Sequence, residues 1–593
     1  MQETFDTLFD ESLNGHYRND LMTLITSSEN IKLAYRNIKR NGGSLTKGVN
    51  KTNIMNIAKK DVNELISYVR KRLQNFQPHS IKRVLIPKEY SKEFRPLGIP
   101  TIEDRIIQQC ILQILEPICE AKFHKHSYGF RANRSAHHAI ARAQNLMNIN
   151  GLHYVVDIDI KGFFDNINHG KLLKQIWNIG IRDKNLISIL SKMLKANVIG
   201  EGKLNKGTPQ GGIISPLLSN IVLNELDWWI SSQWETYQSK KTYSNKGKQD
   251  RELKKTNLKE FFIVRYADDF KIFCRDHKTA NKIFLATKMW LKDRLSLEIS
   301  EQKSKITNLR KHFTDFLGFK LKVIHKPNTR HGYSSISDLS DKAVRKIKTK
   351  LKESVKKIQY SKDYVVLELD RFNSKVMGFH NYYKIATSAN LTFARINYVL
   401  SRVIHNRLKS RSSREGLNSK TYDKLYGHYY FKRVFIEGKP LFPIAGVKFQ
   451  TPKNFGKETC NFTKKGRLAI HSNLKIINRD LLAELLNTPI LDESVEFNDN
   501  RIALYVAQNG KCAVSGELLS IGRMHCHHKK PKKLGGTDAY KNLIILSNWV
   551  HVIVHATHEE TISRYIKLGD FNQTQIDKIN KLRKLLGLQS ISA

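Results

Sequence analysis

Two acidic motifs at the ends of apolar runs restrict the fold of this chain more than any other feature. The β-like run HYVVDIDI (153–160) carries Asp159 near its end, and apolar runs flank YADD on both sides. Short strands around two adjacent acids predict a hairpin whose tip presents Asp268 and Asp269. Carboxylates from separate strand ends are the hard oxygen ligands that Mg²⁺ requires. The pattern therefore predicts an α+β domain with a site for two Mg²⁺ ions, which can activate a 3′-hydroxyl and stabilise a leaving pyrophosphate.

A glycine turn and three cations extend this predicted site toward a nucleotide. In GTPQGGIISPLLSN (207–220), a proline and two glycines make a tight turn that a nucleotide can approach, and Gln210 adds an amide. Lys88, Arg95 and Arg131 stand beside glycines and prolines, and their charges suit a triphosphate. Taken alone, the turn could equally be an ordinary loop, and each cation could be an ordinary surface charge. The prediction depends on their combination.

The order of these segments is that of a right-hand polymerase. Residues from about 30 to 325 closely resemble the fingers and palm of the reverse transcriptase encoded within group II introns. YADD and PQG occur in reverse transcriptases at large, whereas GTPQGGIISPLLSN and DIKGFFDNI are characteristic of this branch. The segments that carry the resemblance are RPLGIPTIEDRIIQQ, SYGFRANRS, DIDIKGFFDNINH, GTPQGGIISPLLSN, RYADDF and FLGF.

The resemblance implies a role for each of these site residues. The three aspartates would hold the two Mg²⁺ ions, and the main-chain carbonyl of Ile160 would add a metal ligand. Phe164 would be the aromatic gate that meets the sugar 2′ position and disfavours ribonucleotides. The remaining residues would bind the incoming dNTP. Gln210 would contact the nucleotide, and its phosphates would be bound by Lys88, Arg95 and Arg131.

The net charge predicts a nucleic-acid partner. The 593 residues include 101 Lys and Arg against 54 Asp and Glu, a formal net charge of +47, at an ordinary hydrophobic content of 40%. A folded chain this basic is expected to bind a polyanion, RNA or DNA. Residues 341–409 are predicted to be helical, with one apolar stripe. We expect Lys346, Lys350 and Lys357 on the other faces to meet RNA phosphates, the alternative being a solvated helix face.

The N-terminal segment, the cysteines and the lack of a long apolar run predict an intracellular protein without a membrane partner. Six scattered cysteines do not form a disulfide framework, and the acidic start MQETFDTLFDE resembles neither a signal nor a transit peptide. The chain has no uncharged apolar run of ~18 residues that would span a membrane. The expected location is the bacterial cytoplasm or nucleoid, or an organellar matrix.

A histidine-rich segment near the C-terminus is the second chemical motif. His527 and His528 are adjacent, and His551 and His555 are four residues apart, so one helical face presents both. With the intervening Gly-Gly turn and Asn542, this ββα-metal pattern resembles an HNH endonuclease. The resemblance implies that His528 takes a proton from water and that Asn542 fixes the loop that orients it. His527, His551 and His555 would hold one divalent metal at the scissile phosphate.

One departure from the intron-encoded pattern concerns zinc. Many members carry two Cys-x-x-Cys pairs, but here Ser515 stands where Cys512 would need its partner, and SNWVH (547–551) lacks the later pair. Cys512 and Cys526 alone cannot build a closed tetrahedral site. We therefore predict no structural zinc.

The resemblance also divides the chain into regions. The segments FNSKVMGFHNYYKIA and FTKKGRLAIH resemble the thumb (maturase) and the DNA-binding segment of the family. The expected regions are an N-terminal extension with the start of the fingers (1–80), the reverse transcriptase fingers and palm (81–330), a helical thumb or maturase domain (331–429), a small basic DNA-binding region (430–495) and a ββα-metal HNH domain (496–593).

The implied function is that of a multifunctional group II intron protein. It would bind and fold its intron RNA for splicing, and the ribonucleoprotein would insert that RNA into one strand of double-stranded target DNA. The HNH domain would nick the other strand to prime cDNA synthesis. Two alternatives remain: a maturase with an inactive polymerase, which the retained aspartates disfavour, and a defence or diversity-generating reverse transcriptase, which the thumb and HNH regions disfavour.

Overall fold

The protein consists of helices and short antiparallel β-sheets. The structure is a computed structural model that describes residues 1–592 except 88–92, 457, 472–483, 486–487, 491–492 and 521. The predicted phosphate contact Lys88 lies outside the described residues.

The helices among the described residues are α1 (Gln2–Leu13), α2 (Leu21–Ile25), α3 (Ser28–Arg40), α4 (Ile54–Ala58), α5 (Val62–Gln74), α6 (Ile102–Lys122), α7 (Ala136–Asn148), α8 (Phe163–Asn166), α9 (His169–Ile179), α10 (Lys184–Leu194), α11 (Ser215–Ser232), α12 (Lys246–Leu253), α13 (His277–Trp290), α14 (Asp341–Tyr360), α15 (Val365–Tyr383), α16 (Ala389–Leu408), α17 (Lys420–Tyr426), α18 (Lys464–His471), α19 (Val495–Ala507), α20 (Asn548–His555), α21 (Glu559–Gly569) and α22 (Gln573–Leu585). The strands are β1 (Lys82–Pro87), β2 (Phe94–Ile99), β3 (Tyr154–Ile158), β4 (Asn197–Val198), β5 (Gly202–Lys203), β6 (Phe261–Tyr266), β7 (Asp269–Cys274), β8 (Lys305–Asn308), β9 (Thr314–Phe316), β10 (Phe319–His325), β11 (Tyr333–Leu339), β12 (Ser412–Ser413), β13 (Phe435–Ile436), β14 (Lys439–Pro440), β15 (Met524–His528) and β16 (Leu543–Ser547). The mixture of helices and strands confirms the predicted α+β class.

The chain forms two compact units, each discontinuous in sequence. One comprises Met1–Lys122, Ile167–Leu218 and Cys460–Ala593, and the other comprises Phe123–Asn166 and Ser219–Thr459. The predicted polymerase aspartates belong to the second unit and the histidine-rich segment to the first.

A four-stranded antiparallel sheet of order β6-β7-β3-β8 lies at the centre of the second unit. Its strands are rich in β-branched and aromatic residues, which favour a pleated, buried surface. Val155, Val264 and Phe273 are fully buried. Helix α7 packs against β6 and helix α13 against β3. The sheet is therefore a rigid support for whatever its strand ends carry.

The predicted apolar stripe of α14 faces the core of the second unit. Ile347, Leu351, Val355 and Ile358 are at most 1% exposed, because α15 and α16 pack against this face. Ser340 caps the helix by accepting a hydrogen bond from the Ala343 N–H at 3.2 Å, which satisfies one of the free donors of the first turn. The cations are left on the partly exposed and exposed faces.

The C-terminal part of the first unit has a ββα arrangement. Strands β15 and β16 pair in antiparallel register, and α20 packs against both. Ile545, Leu546, Val550 and Val554 are fully buried between them. None of the helices in the described residues is both long enough and apolar enough to cross a membrane.

Candidate functional site

The hairpin between β6 and β7 brings the three predicted aspartates to one edge of the sheet. Tyr266 pairs with Asp269, so Ala267 and Asp268 form a two-residue turn, and Ala267 has a φ of 58°. Such tight hairpins require a positive φ in the turn. Because Ile158 pairs with Phe270 on the neighbouring strand, Asp159 emerges beside Asp269. The predicted hairpin and its acidic tip are confirmed.

The electrostatics of this edge are those of a cation site. Burial raises the pKa of Asp269, Lys271 opposes this effect, and the carboxylates of Asp157, Asp268 and Asp159 add to it, so that the pKa is about 6. The Lys271 Nζ lies 2.6 Å from Asp157 Oδ2 and 3.8 Å from Asp269 Oδ1. The Lys303 Nζ lies 3.9 Å from Asp159 Oδ2, so two ammonium groups balance only part of the negative charge of the four carboxylates.

The available donors fit hard divalent ions. The side chains of Asp159 and Asp269 remain 48% and 44% exposed, so their oxygens can be reached from solvent. The bridge between Ile160 and Ile299 uses hydrogen bonds of the flanking residues, such as Ser300 N–H to the Asp159 carbonyl at 2.7 Å. The Ile160 carbonyl therefore takes no part in that bridge. Carboxylate and carbonyl oxygens are the ligands that Mg²⁺ prefers.

A buried arginine that was not predicted from the sequence supports the turn. The Arg265 Nε and Nη2 donate to the Asp227 carboxylate at 2.8 and 2.6 Å, and both side chains are at most 1% exposed. The Arg265 Nη1 donates to Asn220 Oδ1 at 3.0 Å and to the Ala267 carbonyl at 2.9 Å. The turn is thereby tied to helix α11.

The segment SYGFRANRS packs directly against the same turn. The Tyr128 N–H donates to the Arg265 carbonyl at 2.8 Å, and the Gly129 carbonyl accepts from Asn220 Nδ2 at 2.9 Å. A Cβ added to Gly129 would lie 2.3 Å from the Ala267 nitrogen. Only a residue without a side chain permits this approach.

Two predicted nucleotide contacts lie in the second unit. Phe164, on α8, is partly exposed, and its ring centroid lies 5.4 Å from that of the buried Phe163. Arg131 is 7% exposed, and its Nη1 donates to the carbonyls of His124 and Ser127 at 2.6 and 2.8 Å. The guanidinium thus supports the local loop, and its phosphate contact stays a prediction.

The other predicted nucleotide contacts lie in the first unit. Arg95 is exposed on β2. The Gly98 N–H of the same strand donates to the Gln210 carbonyl at 2.6 Å. Gly211 has a φ of 118°, and a Cβ there would lie 2.5 Å from the Gly98 carbonyl oxygen. The glycine turn is therefore tight, as predicted. On one side, strand β2 of the same chain lies against it.

Three predicted histidines converge in the ββα region. Ligand nitrogens of His527, His551 and His555 all lie within 4.8 Å of one another. The His555 Nε2 is 3.1 Å from the His527 Nδ1, and the buried His527 Nε2 has no hydrogen-bond partner among the described residues. Burial, assisted by the neighbouring histidines, lowers the pKa of His527 to about 3 and that of His551 to about 4. Neutral imidazoles with free lone pairs fit a divalent metal, especially a transition metal.

His528 lies outside this cluster and has its own partners. Its Nε2 is 2.7 Å from Asp538 Oδ1, and its ring stacks on Phe497 at 5.3 Å. Asn542 clamps the following loop, accepting from the Lys530 N–H at 2.9 Å and donating to the Lys530 carbonyl at 3.0 Å. Asp538 was not among the residues predicted from the sequence.

His525, which was not predicted from the sequence, stacks its ring on His551 at 4.4 Å. Cys512 is buried, and its Sγ accepts from the Ser547 N–H at 3.4 Å. The absence of a structural zinc at Cys512 and Cys526 stays a prediction.

Comparison with known proteins places the aspartates in a recognised domain. The family described as reverse transcriptase (RNA-dependent DNA polymerase) matches residues 86–321, which contain all three aspartates but not the histidine cluster. The group II intron-encoded protein LtrA of Lactococcus lactis subsp. cremoris is 29% identical across 66% of this chain and 74% of that protein. Protein YkfC of Escherichia coli (strain K12) is 34% identical across 51% of this chain and 82% of that protein. Nuclear intron maturase 2 of Arabidopsis thaliana is 28% identical across 22% of this chain and 23% of that protein.

The close approach at Gly129 generates a test. In Gly129→Ala the new Cβ must push the turn that carries Asp268, and a displacement of ~1 Å in a catalytic site costs about a hundredfold in rate. We expect primer extension on an RNA template to fall by one to two orders of magnitude, with a loss of stability of about 1–3 kcal/mol from the clash. Gly378→Ala in α15, where a Cβ meets nothing within 4 Å, is the matched control. Normal primer extension by the Gly129 variant would contradict the packing argument.

Proposed function

This chain belongs to the reverse transcriptases encoded by group II introns, and we propose that it combines this polymerase with a maturase and an HNH endonuclease. In this proposal the protein binds its intron RNA and assists splicing. The resulting ribonucleoprotein inserts the RNA into one strand of double-stranded DNA. The endonuclease then nicks the other strand, and the freed 3′-hydroxyl primes cDNA synthesis.

The polymerase part of the proposal depends on the three aspartates at the sheet edge. Asp159, Asp268 and Asp269 would hold two Mg²⁺ ions, with the Ile160 carbonyl as a further ligand, and the metal would activate the primer hydroxyl and stabilise pyrophosphate. Lys271 pairs closely with Asp157, at 2.6 Å, and more loosely with Asp269, at 3.8 Å, so Asp157 is the carboxylate least available to the metal. Phe164 would exclude a 2′-hydroxyl from the nucleotide pocket.

The maturase part depends on the basic face of α14. Lys357 is exposed, and Lys346 and Lys350 are partly exposed, on a helix whose apolar face is fully used in packing. Their charges are therefore directed away from the core, toward a partner. We propose that this face binds phosphates of the intron RNA.

The convergence of His527, His551 and His555 is the single observation that carries the endonuclease part. These neutral histidines would hold one divalent metal, which would neutralise the scissile phosphate and stabilise the leaving 3′ oxygen. His528 would take the proton from the attacking water, and its contact with Asp538 would fix the imidazole orientation. The Asn542 clamp would hold the loop that follows His528.

The catalytic carboxylates can be tested by Asp269→Asn, which keeps the shape but removes a metal-binding charge. Metal stabilisation is worth several kcal/mol, so primer extension should fall by at least about a hundredfold. Intron RNA binding and assisted splicing should persist. The control is Asp315→Asn at an exposed position of β9. A near-normal cDNA yield from Asp269→Asn would remove this aspartate from the metal site.

The RNA-binding face can be tested by charge reversal. In the Lys346→Glu, Lys350→Glu, Lys357→Glu variant, about three phosphate contacts are lost, so the slope of log affinity against log salt should become shallower by about 2. Filter binding of intron RNA over a salt series measures this slope. The same charge change at Lys246, Lys248 and Lys255, around α12, is the control. Equal effects of both triple variants would mean that only net charge matters.

The histidine roles can be separated by two substitutions. His528→Ala should abolish nicking of the second DNA strand, because the base is lost, while primer extension and splicing stay intact. His551→Ala removes a ligand, so excess metal should restore part of its cleavage. Strand-specific cleavage of an end-labelled target by the ribonucleoprotein is the measurement, and His558→Ala, at an exposed histidine, is the control. Normal second-strand nicking by His528→Ala would refute the endonuclease assignment.

A further inference from the structure

Helix α19 contacts both members of the His528–Asp538 pair. Phe497 on this helix stacks on the His528 ring. Ser494, which caps the helix, donates its hydroxyl to Asp538 Oδ2 at 2.6 Å, and Asn500 Nδ2 donates to the Asp538 main-chain carbonyl at 2.7 Å. The position of α19 therefore contributes to the orientation of the pair, together with Lys532, whose Nζ lies 3.3 Å from Asp538 Oδ1.

The opposite side of α19 is fixed by helix α3 of the N-terminal region. The Tyr35 hydroxyl donates to Glu496 Oε2 at 2.9 Å. The Lys39 Nζ lies 3.0 Å from Glu496 Oε1, 2.8 Å from Asn500 Oδ1 and 3.2 Å from Asp499 Oδ2. Tyr35 and Glu496 are only 1% and 9% exposed. A satisfied polar network in a buried setting specifies a single arrangement of its members.

Asn500 belongs to both sets of contacts. Its amide oxygen accepts from Lys39, and its amide nitrogen donates to Asp538 and, at 3.0 Å, to Glu496. Hydrogen bonds therefore link Lys39 to Asn500 and Asn500 to the main chain of Asp538, whose carboxylate contacts His528. Main-chain contacts support the same docking, since the Val495 N–H donates to the Lys60 carbonyl at 3.1 Å.

We propose that Lys39 and Asn500 are positioning residues for the endonuclease base, so that the N-terminal region of the polymerase holds the nuclease in its cutting geometry. This inference rests on the proposed endonuclease function. None of the contacts described above connects Lys39 to a member of the three-histidine cluster. It should therefore influence the rate of water activation and leave metal binding alone.

The test measures nicking rate and metal binding separately in the full-length ribonucleoprotein. Single-turnover nicking of the second strand is followed on an end-labelled target, and Co²⁺ titration, read from its visible absorption, reports ligation by the histidines. Lys39→Met should lower the nicking rate by about tenfold, as expected for a loosened catalytic geometry, with Co²⁺ affinity and primer extension unchanged. Lys39→Arg, which retains the charge, should recover part of the rate.

Two comparisons make the test specific. Arg40→Met removes the same charge at the exposed neighbouring position and should nick normally. In a double-mutant cycle, Lys39→Met should add little to Asp538→Asn, because both act on the same path. If Lys39→Met does not fold, Tyr35→Phe, which deletes one hydroxyl, should give a smaller loss of about threefold.

The possible results separate this inference from the proposed function. A normal nicking rate in Lys39→Met, together with an inactive His528→Ala, would overturn the positioning role and leave the endonuclease in place. A loss of Co²⁺ affinity equal to the loss of rate would also overturn it, because the network would then act on the metal site. Normal nicking by His528→Ala would overturn the endonuclease function and this inference with it.

Discussion

The buried ion pair between Arg265 and Asp227 is the interaction on which the candidate polymerase site depends. Burying two charges is costly unless each is fully hydrogen-bonded, and here the guanidinium contacts the carboxylate, Asn220 and the Ala267 carbonyl. Removal of either partner would leave an uncompensated charge in the core, at a cost of about 3–5 kcal/mol. The strained turn at Ala267 is held by this network and by the glycine that packs against it. The positions of Asp268 and Asp269 therefore follow from contacts made behind them, away from the substrate.

Local patterns were sufficient to predict the elements that carry the chemistry. The YADD hairpin, the end of β3 at Asp159 and the apolar stripe of α14 each follow from residue types at short spacing, and the structure confirms them. The supporting ion pair joins positions 38 residues apart, so no periodicity reveals it. One feature of the sequence nonetheless indicates a buried ion pair. Arg265 is the only cation of the otherwise apolar and aromatic strand β6, and such a residue requires a buried partner.

In the histidine region, too, local sequence patterns predict some contacts, whereas other contacts depend on residues that are distant in sequence. Successive residues of a strand point to opposite faces, so His525 and His527 on β15 share the side that meets α20, while His528 points to the other. This alternation explains why His525 stacks on His551 and why adjacent histidines have different partners. Asp538 and the α3 contacts were not predictable in this way, because a loop residue and a helix near the N-terminus are brought to His528 only by the tertiary fold.

The two candidate metal sites differ in their electrostatics. At the sheet edge, burial and the neighbouring carboxylates raise the pKa of Asp269, and Lys271 offsets only part of the negative charge, so a hard dication is attracted mainly by charge. At the histidine cluster, burial keeps the imidazoles neutral, and affinity must come from lone pairs and geometry, which favour a transition metal over Mg²⁺. Because the ligand sets differ in charge and softness, the two sites can select different metals from the same solution. If the proposed endonuclease is present, the polymerase and the nuclease would therefore not compete for the same metal.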